Sequence, residues 1–461
     1  MSTAVLSNVV LEAHEALATR LARASRSAPE PGAEVTEKVK LCLFDLIGCA
    51  FESRDLPWSR HAVAVVERVA DNSGATVIGA PISATFGDAA FANAVMGHGL
   101  VREDMHSGSI SHLGIVVLPT LLALSQYRKV SGRDFIAAAF VGYEVGGQVG
   151  RALMDAEIAR IHRPTGNCGP VAAAAAGARM LGLGIEETTN AIALGANTTL
   201  GFNQWAHTGG SEMFFHPGFV ARNAVTSVRL AEQGAFASPS ALDGEAGLFA
   251  SLRKRSAASK VELFRGEPEI LAVYHKPVPA CNFAQTPAQA ALAIAREKKS
   301  PIDKIAAITI RVTRAGAMYP GCDYTGPFAH ILQAKMSIQY NVAAALTEGS
   351  VSEKNFTLLN DPRLHRLIGL MTMQIDDELT LAYPGKQGGD VEVRLTDGSV
   401  QRSRLADVVN ASADEVRARF RASTTEVMGK RSAQEIEAFI DSLDRCDDSG
   451  KLGALLRLPS D

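Results

Sequence analysis

Apolar positions recur at helical spacing through most of the first 275 residues. Val10 to Ala24 and Val35 to Cys49 each carry a hydrophobic stripe, and the breaker Ser27-Ala28-Pro29-Glu30-Pro31-Gly32 divides them into two helices. Trp58 to Val69 predicts a third helix, and Ala75 to Gly79 reads as a short strand or an extended link. From Ala84 onward the stripes become rich in alanine and other small residues: Ala84 to Gly99, Pro119 to Ser125, Phe135 to Val149, Gly169 to Leu183, Thr188 to Thr199 and Phe219 to Gln233. Small side chains let helices approach closely. Nothing in this half alternates with period two, so it predicts a large all-helical domain.

The texture changes near Tyr274. Pro287 to Lys298 is helix-like, Ile305 to Val312 alternates as a strand, and Ser337 to Ala345 resumes helical spacing. Val391 to Leu395, the turn Asp397-Gly398 and Val400 to Leu405 predict a hairpin. Beyond it Ser412 to Phe420 and Ala433 to Leu443 are helical again and are expected to pack back on the first domain. The 461 residues exceed what one core usually holds. The expected fold is mainly α: a large all-α helical-bundle domain formed from both chain ends, residues 1–275 and 407–461, and a smaller inserted α+β domain over 276–406.

Charge and cysteine content narrow the function. With 46 basic and 49 acidic residues the formal charge is −3, which gives no global attraction to nucleic acid or to an anionic membrane. A cationic site, if present, is local. The six cysteines show no C-x-x-C pair or metal-type spacing, which suits a reducing compartment. Met1 to Val10 lacks a basic segment leading into an apolar run, and no uncharged stretch reaches membrane-spanning length; a soluble cytoplasmic protein is expected. No phosphate-binding G-x-x-x-x-G-K-[ST] occurs.

The polarity is concentrated in a few segments. His98 to Gly114 holds three histidines, Arg102, Glu103 and Asp104 between two apolar runs. His106 and His112 are not at helical spacing, so no metal pair is predicted; either suits general acid or base work, with Asp104 or Glu103 orienting its ring. Ile161 to Pro170 brings His162, Arg163 and Thr165 to the start of an alanine-rich helix, where free backbone donors and a guanidinium would favour an anion. Asn203 to Gly218, including His207 and Met213, mixes amides, aromatics and glycines as binding loops do. Lys276 lies between rigid prolines and Tyr274 where one texture yields to the other, followed by Cys281 and Gln285.

Taken together, His112-Leu113-Gly114, Gly142-Tyr143-Glu144-Val145, Pro164-Thr165, His216-Pro217-Gly218, Leu242-Asp243-Gly244, Lys276-Pro277-Val278-Pro279-Ala280-Cys281 and Lys335-Met336-Ser337-Ile338-Gln339-Tyr340 resemble the MmgE/PrpD family over nearly the whole length. The resemblance implies a helical domain from both chain ends, an α+β lid, a site between them and a homodimer. Its activities include 2-methylcitrate dehydratase, cis-aconitate decarboxylase and iminodisuccinate epimerase, on compact polycarboxylates. Carried over by position, His112, Lys276 and Tyr340 match family residues. Other positions depart: Val101 to Met105 stands where lyase-like members carry a D-F-D-D-T-type run, with only Asp104 in place of one carboxylate. The family's H-P-T histidine falls on Arg163, its lysine before the His-Pro-Gly on Met213, and its lid histidine on Gln285.

These departures weaken a dehydration assignment. Dehydration needs an acid for the leaving hydroxyl, whereas epimerisation needs a base on one face and an acid on the other. His106, His112, Tyr143 and Tyr340 are candidates for such a pair, with Lys276, Arg163 and Arg102 neutralising a small polycarboxylate. The reading leans to an epimerase, with a lyase or a non-catalytic polycarboxylate-binding homologue as alternatives. The proton chemistry calls for no cofactor and no metal.

Overall fold

The computed structural model describes residues 15–70, 73–199, 201–297 and 301–459. The expectations made on Met1 to Val10, on the first turn of the helix starting at Val10 and on Lys298 lie outside these residues. Alanine-rich and apolar helices form the interior of the larger part. Phe86–His98 and Gly114–Tyr127 carry apolar residues around their whole circumference, with few polar ones among them, and both are buried along nearly their whole length. Such helices belong in the centre of a bundle. The Thr85 hydroxyl caps the first of them by accepting the Asp88 backbone N–H.

Around these two lie Gly132–Leu153, Pro164–Met180 and Glu212–Glu232. Close approach depends on absent side chains: a Cβ on Gly142 would lie 2.8 Å from Val117 and 2.9 Å from Ala176. The helix from Trp58 is shorter than expected. It covers Pro57–Val65, and the chain turns extended at Val66 before a two-residue strand, Arg68–Val69, in a small sheet with Ala75–Thr76 and Ser83–Ala84.

The later part holds a four-stranded sheet in the order Met371–Ile375, Ile305–Val312, Gly389–Leu395, Val400–Leu405. The first pair is parallel and the other two antiparallel. The strand Ile305–Val312 and the hairpin fall where alternation predicts them; Met371–Ile375 is an addition. Gln285–Glu297 packs on this sheet and against Ile338–Glu348.

After the sheet, helix Ala413–Met428 returns to pack on Ala33–Ser53, with the Phe44 and Phe420 rings 4.9 Å apart. Arg419 also donates to the Lys276 carbonyl at 2.9 Å. The chain is thus mainly helical with small sheets, and no helix among the described residues is long and apolar enough to cross a membrane.

Candidate active site

Two short strands assemble the site. Met105–His106 pairs antiparallel with Val273–Tyr274, which brings the acidic loop beside the segment carrying Lys276. Two buried lysines then join the same two backbones. Lys276 donates to the carbonyls of Val101 and Ala280, and Lys335 donates to Leu100 and Pro279, each at 3.1 Å. Lys335 is also paired with Glu353 at 2.6 Å. Val101 has a φ of +58°, costly for a β-branched residue, and its carbonyl receives the Lys276 ammonium. Burial lowers the Lys276 pKa from its usual value.

The cavity beside this junction is walled on one side by Val101, Met105, Ile110, His112, Arg163, Trp205 and Met213. The facing wall consists of Cys281, Asn282, Phe283, Tyr319 and Met336. Its free volume, about 20 Å³, holds about one water, so any larger ligand needs the walls to part.

Glu103 organises the histidines. It is buried, and its Oε1 lies 2.5 Å from His98 Nδ1 and 2.8 Å from His112 Nδ1. Arg163 Nη2 can only donate, and it bonds His98 Nε2 at 3.0 Å, so His98 carries its proton on Nδ1. His112 Nδ1 also faces the Asp104 carbonyl at 3.2 Å. Both partners of that nitrogen are acceptors; the proton sits on Nδ1 and the lone pair on Nε2. Burial, reinforced by the Lys276 charge, lowers the His112 pKa to about 3. At neutral pH it is a free base on the cavity wall. Burial alone would raise the Glu103 carboxyl, but the two imidazoles outweigh it and hold the group well below the usual range.

The cationic wall is Arg163. Its guanidinium is buried, lies over the Trp205 ring at 5.7 Å and has an Nε without a hydrogen-bond partner. Met213 Sδ is 3.5 Å from Nη2. Met213, where the resemblance implies a cation, packs against the Arg163 guanidinium. Across the cavity Tyr319 is raised to about 12 by burial and stays protonated. His98, Glu103 and His112 present three ligand atoms within 4.8 Å of one another, a set that in other surroundings holds a divalent ion. Here the charges of Arg163 and Lys276 bear on the same groups, and the arrangement suits an anion.

Other predicted residues are elsewhere. His106 does not face the cavity: Nδ1 accepts from the Ser109 backbone at 3.1 Å, and Nε2 donates to Glu269 at 2.6 Å. Glu269 also takes Arg151 at 3.0 Å. Both ring nitrogens of His106 are thereby occupied. Tyr340 donates to the Asn355 carbonyl at 2.7 Å in an aromatic cluster. Arg102 is spent on Glu52 in a two-pronged pair at 2.6 and 3.1 Å. Gln285 bonds the backbone of Val278, Ala280 and Cys281, which pins the turn after Lys276. His162 packs near Phe202, and His207 is exposed. The Thr165 hydroxyl accepts the His112 N–H at 3.0 Å, so it fixes the histidine and leaves the helix start without the expected open anion pocket.

Asp104 sits behind the cavity and does not orient His112 through its carboxyl. It accepts from Tyr143 at 2.6 Å, and a Cβ on Gly114 would come within 2.4 Å of it. Burial raises its pKa to about 7. A group raised in the folded state stabilises most below its unfolded pKa of about 4, and that contribution is lost as pH rises through 7. Asp104→Asn is therefore expected to gain stability relative to the parent between pH 4 and 7 and to keep the gain above. Urea midpoints across that range check it; a constant offset would contradict it.

Tyr319 lies outside the segments in which the sequence gathers its polar and aromatic residues, while His98, Trp205 and Lys335 lie inside them with no separate role predicted. His98 ends a mostly apolar, buried helix and reads locally as a core residue; its nearness in sequence to Glu103 and His112 is the available signal.

Fold and cavity together define a mainly helical protein with a buried, cation-lined pocket. The chain belongs to the MmgE/PrpD family: residues 15–259 match the MmgE/PrpD N-terminal domain and residues 278–445 the MmgE/PrpD C-terminal domain. It is 24% identical over 463 residues to cis-aconitate decarboxylase of Aspergillus terreus (strain NIH 2624 / FGSC A1156), covering 92% of each chain. The same identity over 455 residues relates it to cis-aconitate decarboxylase of Mus musculus, covering 92% of this chain and 90% of that one. A 2-methylcitrate dehydratase from Cupriavidus necator is 29% identical over 256 residues, half of each chain. These relatives are named as lyases, and they give the epimerase lean no support.

Proposed function

We propose that the chain is a cofactor-independent lyase for a small di- or tricarboxylate, of the cis-aconitate decarboxylase or 2-methylcitrate dehydratase kind. The observation that carries the reading is His112 Nε2, a lone pair on a wall shared with the buried Arg163 guanidinium. Arg163, with the charge of Lys276 behind it, would bind a carboxylate and stabilise the enolate-like charge that forms beside it. His112 would take the proton next to that carboxylate or, once protonated, return it. In dehydration the C–O bond breaks as Tyr319 gives its proton to the leaving hydroxyl. In decarboxylation the C–C bond breaks, carbon dioxide leaves, and the carbon takes its proton from the Tyr319 hydroxyl, which is reprotonated by water.

The names of the full-length relatives favour this reading over epimerisation. The division at Lys276 and near Ala406 belongs to the same proposal, supported by the cavity walls contributed from residues 101–213 and 281–336. Incubation with cis-aconitate, citrate and 2-methylcitrate in D₂O, followed by proton NMR and carbon dioxide capture, tests it. Carbon dioxide release or loss of water with a change at an alkene is expected. Deuterium exchange without net conversion would restore the epimerase reading; a raised melting temperature with neither would identify a non-catalytic binder.

A further inference from the structure

A second cavity, about 330 Å³ and largely apolar, opens on the surface between Ser107, Gly108, Met154 and Ala156 on one side and Arg314, Thr380 and Tyr383 on the other. Ile110 lines both this cavity and the inner one. It stands with φ at +53°, a left-handed conformation that a β-branched side chain rarely adopts. Strain of this kind persists only where surrounding structure enforces it, and here the enforcement is visible. Ile110 ends the turn Ser107–Ser109, and the His106 and Ser111 backbones pair around that turn at 2.9 and 3.2 Å. His106 ties the turn to Glu269, and Arg151 lies so close to Gly108 that a Cβ there would meet its guanidinium at 2.1 Å.

The partition has a second leaf. Phe283, on the inner wall, packs against Tyr383 on the outer one with ring centroids 5.9 Å apart. The Tyr383 hydroxyl is buried and has no hydrogen-bond partner. A buried hydroxyl without a partner at such a boundary is a donor available to a passing acceptor.

We propose that the outer cavity is the entrance to the inner one, that Ile110 and the Phe283–Tyr383 contact form the gate between them, and that the traffic is small carboxylates. His106, Ser109 and Glu269 act as positioning residues for Ile110, which gives a use to a buried histidine that does not face the substrate cavity. The inference concerns access alone and holds whichever reaction the inner site performs.

Cys281 provides the readout, because it lines the inner cavity. Although burial alone would raise its pKa, the Cys322 thiol 3.5 Å away helps to hold it below the usual thiol range. The full chain is treated with iodoacetate, an anionic carboxylate probe. The Cys281 sulfur displaces iodide, the thiol proton passes to solvent, and the rate is read by peptide mass spectrometry. Ile110→Ala is expected to speed labelling of Cys281 at least fivefold, and Ala156→Trp, at an exposed position on the outer rim, to slow it by a similar factor. Labelling of the fully buried Cys42 and Cys49 reports general opening of the fold and should not change. An unchanged Cys281 rate in either folded variant overturns the proposal, as does acceleration matched at Cys42 and Cys49. Failure of the lyase reading would show instead as no turnover in variants whose labelling follows the gate.

Discussion

Replacing His112 with asparagine is expected to lower turnover by about 10²- to 10⁴-fold, the usual contribution of a positioned general base. Asparagine can still present an N–H towards Glu103 and the Asp104 carbonyl, so the local hydrogen bonds survive. It has no lone pair where Nε2 faces the cavity. The melting temperature should therefore stay close to the parent's while kcat falls. Loss of activity matched by loss of fold, or retention of more than about a tenth of the turnover, would remove His112 from the base role.

The pH profile supplies the second half of this test. A free imidazole titrates near 6.5. Burial lowers His112 to about 3, so it is already the neutral base throughout the physiological range. The acid limb of kcat/KM is expected below pH 5, with no inflection near 6.5. The sign for stability agrees: a histidine held neutral by the fold contributes above its unfolded pKa, and the contribution is lost as pH falls towards 3.

Glu103→Gln is expected to cost about 3–5 kcal/mol of stability, the range found when one member of a buried charge cluster is removed. The carboxylate accepts from His98 and His112 and is the negative charge among the cavity's two cations, Arg163 and Lys276. An amide of the same size can accept one of those N–H groups well and neutralises nothing. The loss should be full near pH 7. The Glu103 pKa is depressed, so its contribution is present above about 4.5 and fades as pH falls below that value. Urea unfolding at pH 7 and pH 4 measures both statements; a difference under about 1 kcal/mol at pH 7 would mean that the cluster is balanced by other groups.

Much of the architecture was legible in local pattern. Ile305 to Val312 is a strand over the residues whose alternation predicts it, because one face of that strand is buried and the pattern records burial. Met371–Ile375 escaped detection for the converse reason. It lies at the edge of its sheet with all five of its positions partly or fully exposed, so no buried face marks it. Trp58 to Val69 overruns its helix because Val66 and Val69 continue the three-residue apolar spacing after the backbone has turned extended.

The site was legible as a set of segments more than as a set of atoms. Every wall of the cavity draws on a segment singled out from its residue types, except Tyr319. The allocation of roles within those segments was not readable. Three histidines between Leu100's neighbours and Gly114 look alike in sequence, and Lys335 looks like any lysine.

By itself the sequence determined the helical and sheet-forming regions, the segments where chemistry gathers, and the family, all of which follow from periodicity and from runs of neighbouring residues. Tertiary structure alone decided which ring nitrogens of the three histidines are paired and which are not. His106 is occupied by Glu269, 163 residues away, His98 by Arg163, 65 residues away, and His112 is left with a nitrogen free on the cavity wall. A ring nitrogen's role depends on its partner and on its depth from water. Both are set by contacts between distant parts of the chain, which no local pattern records.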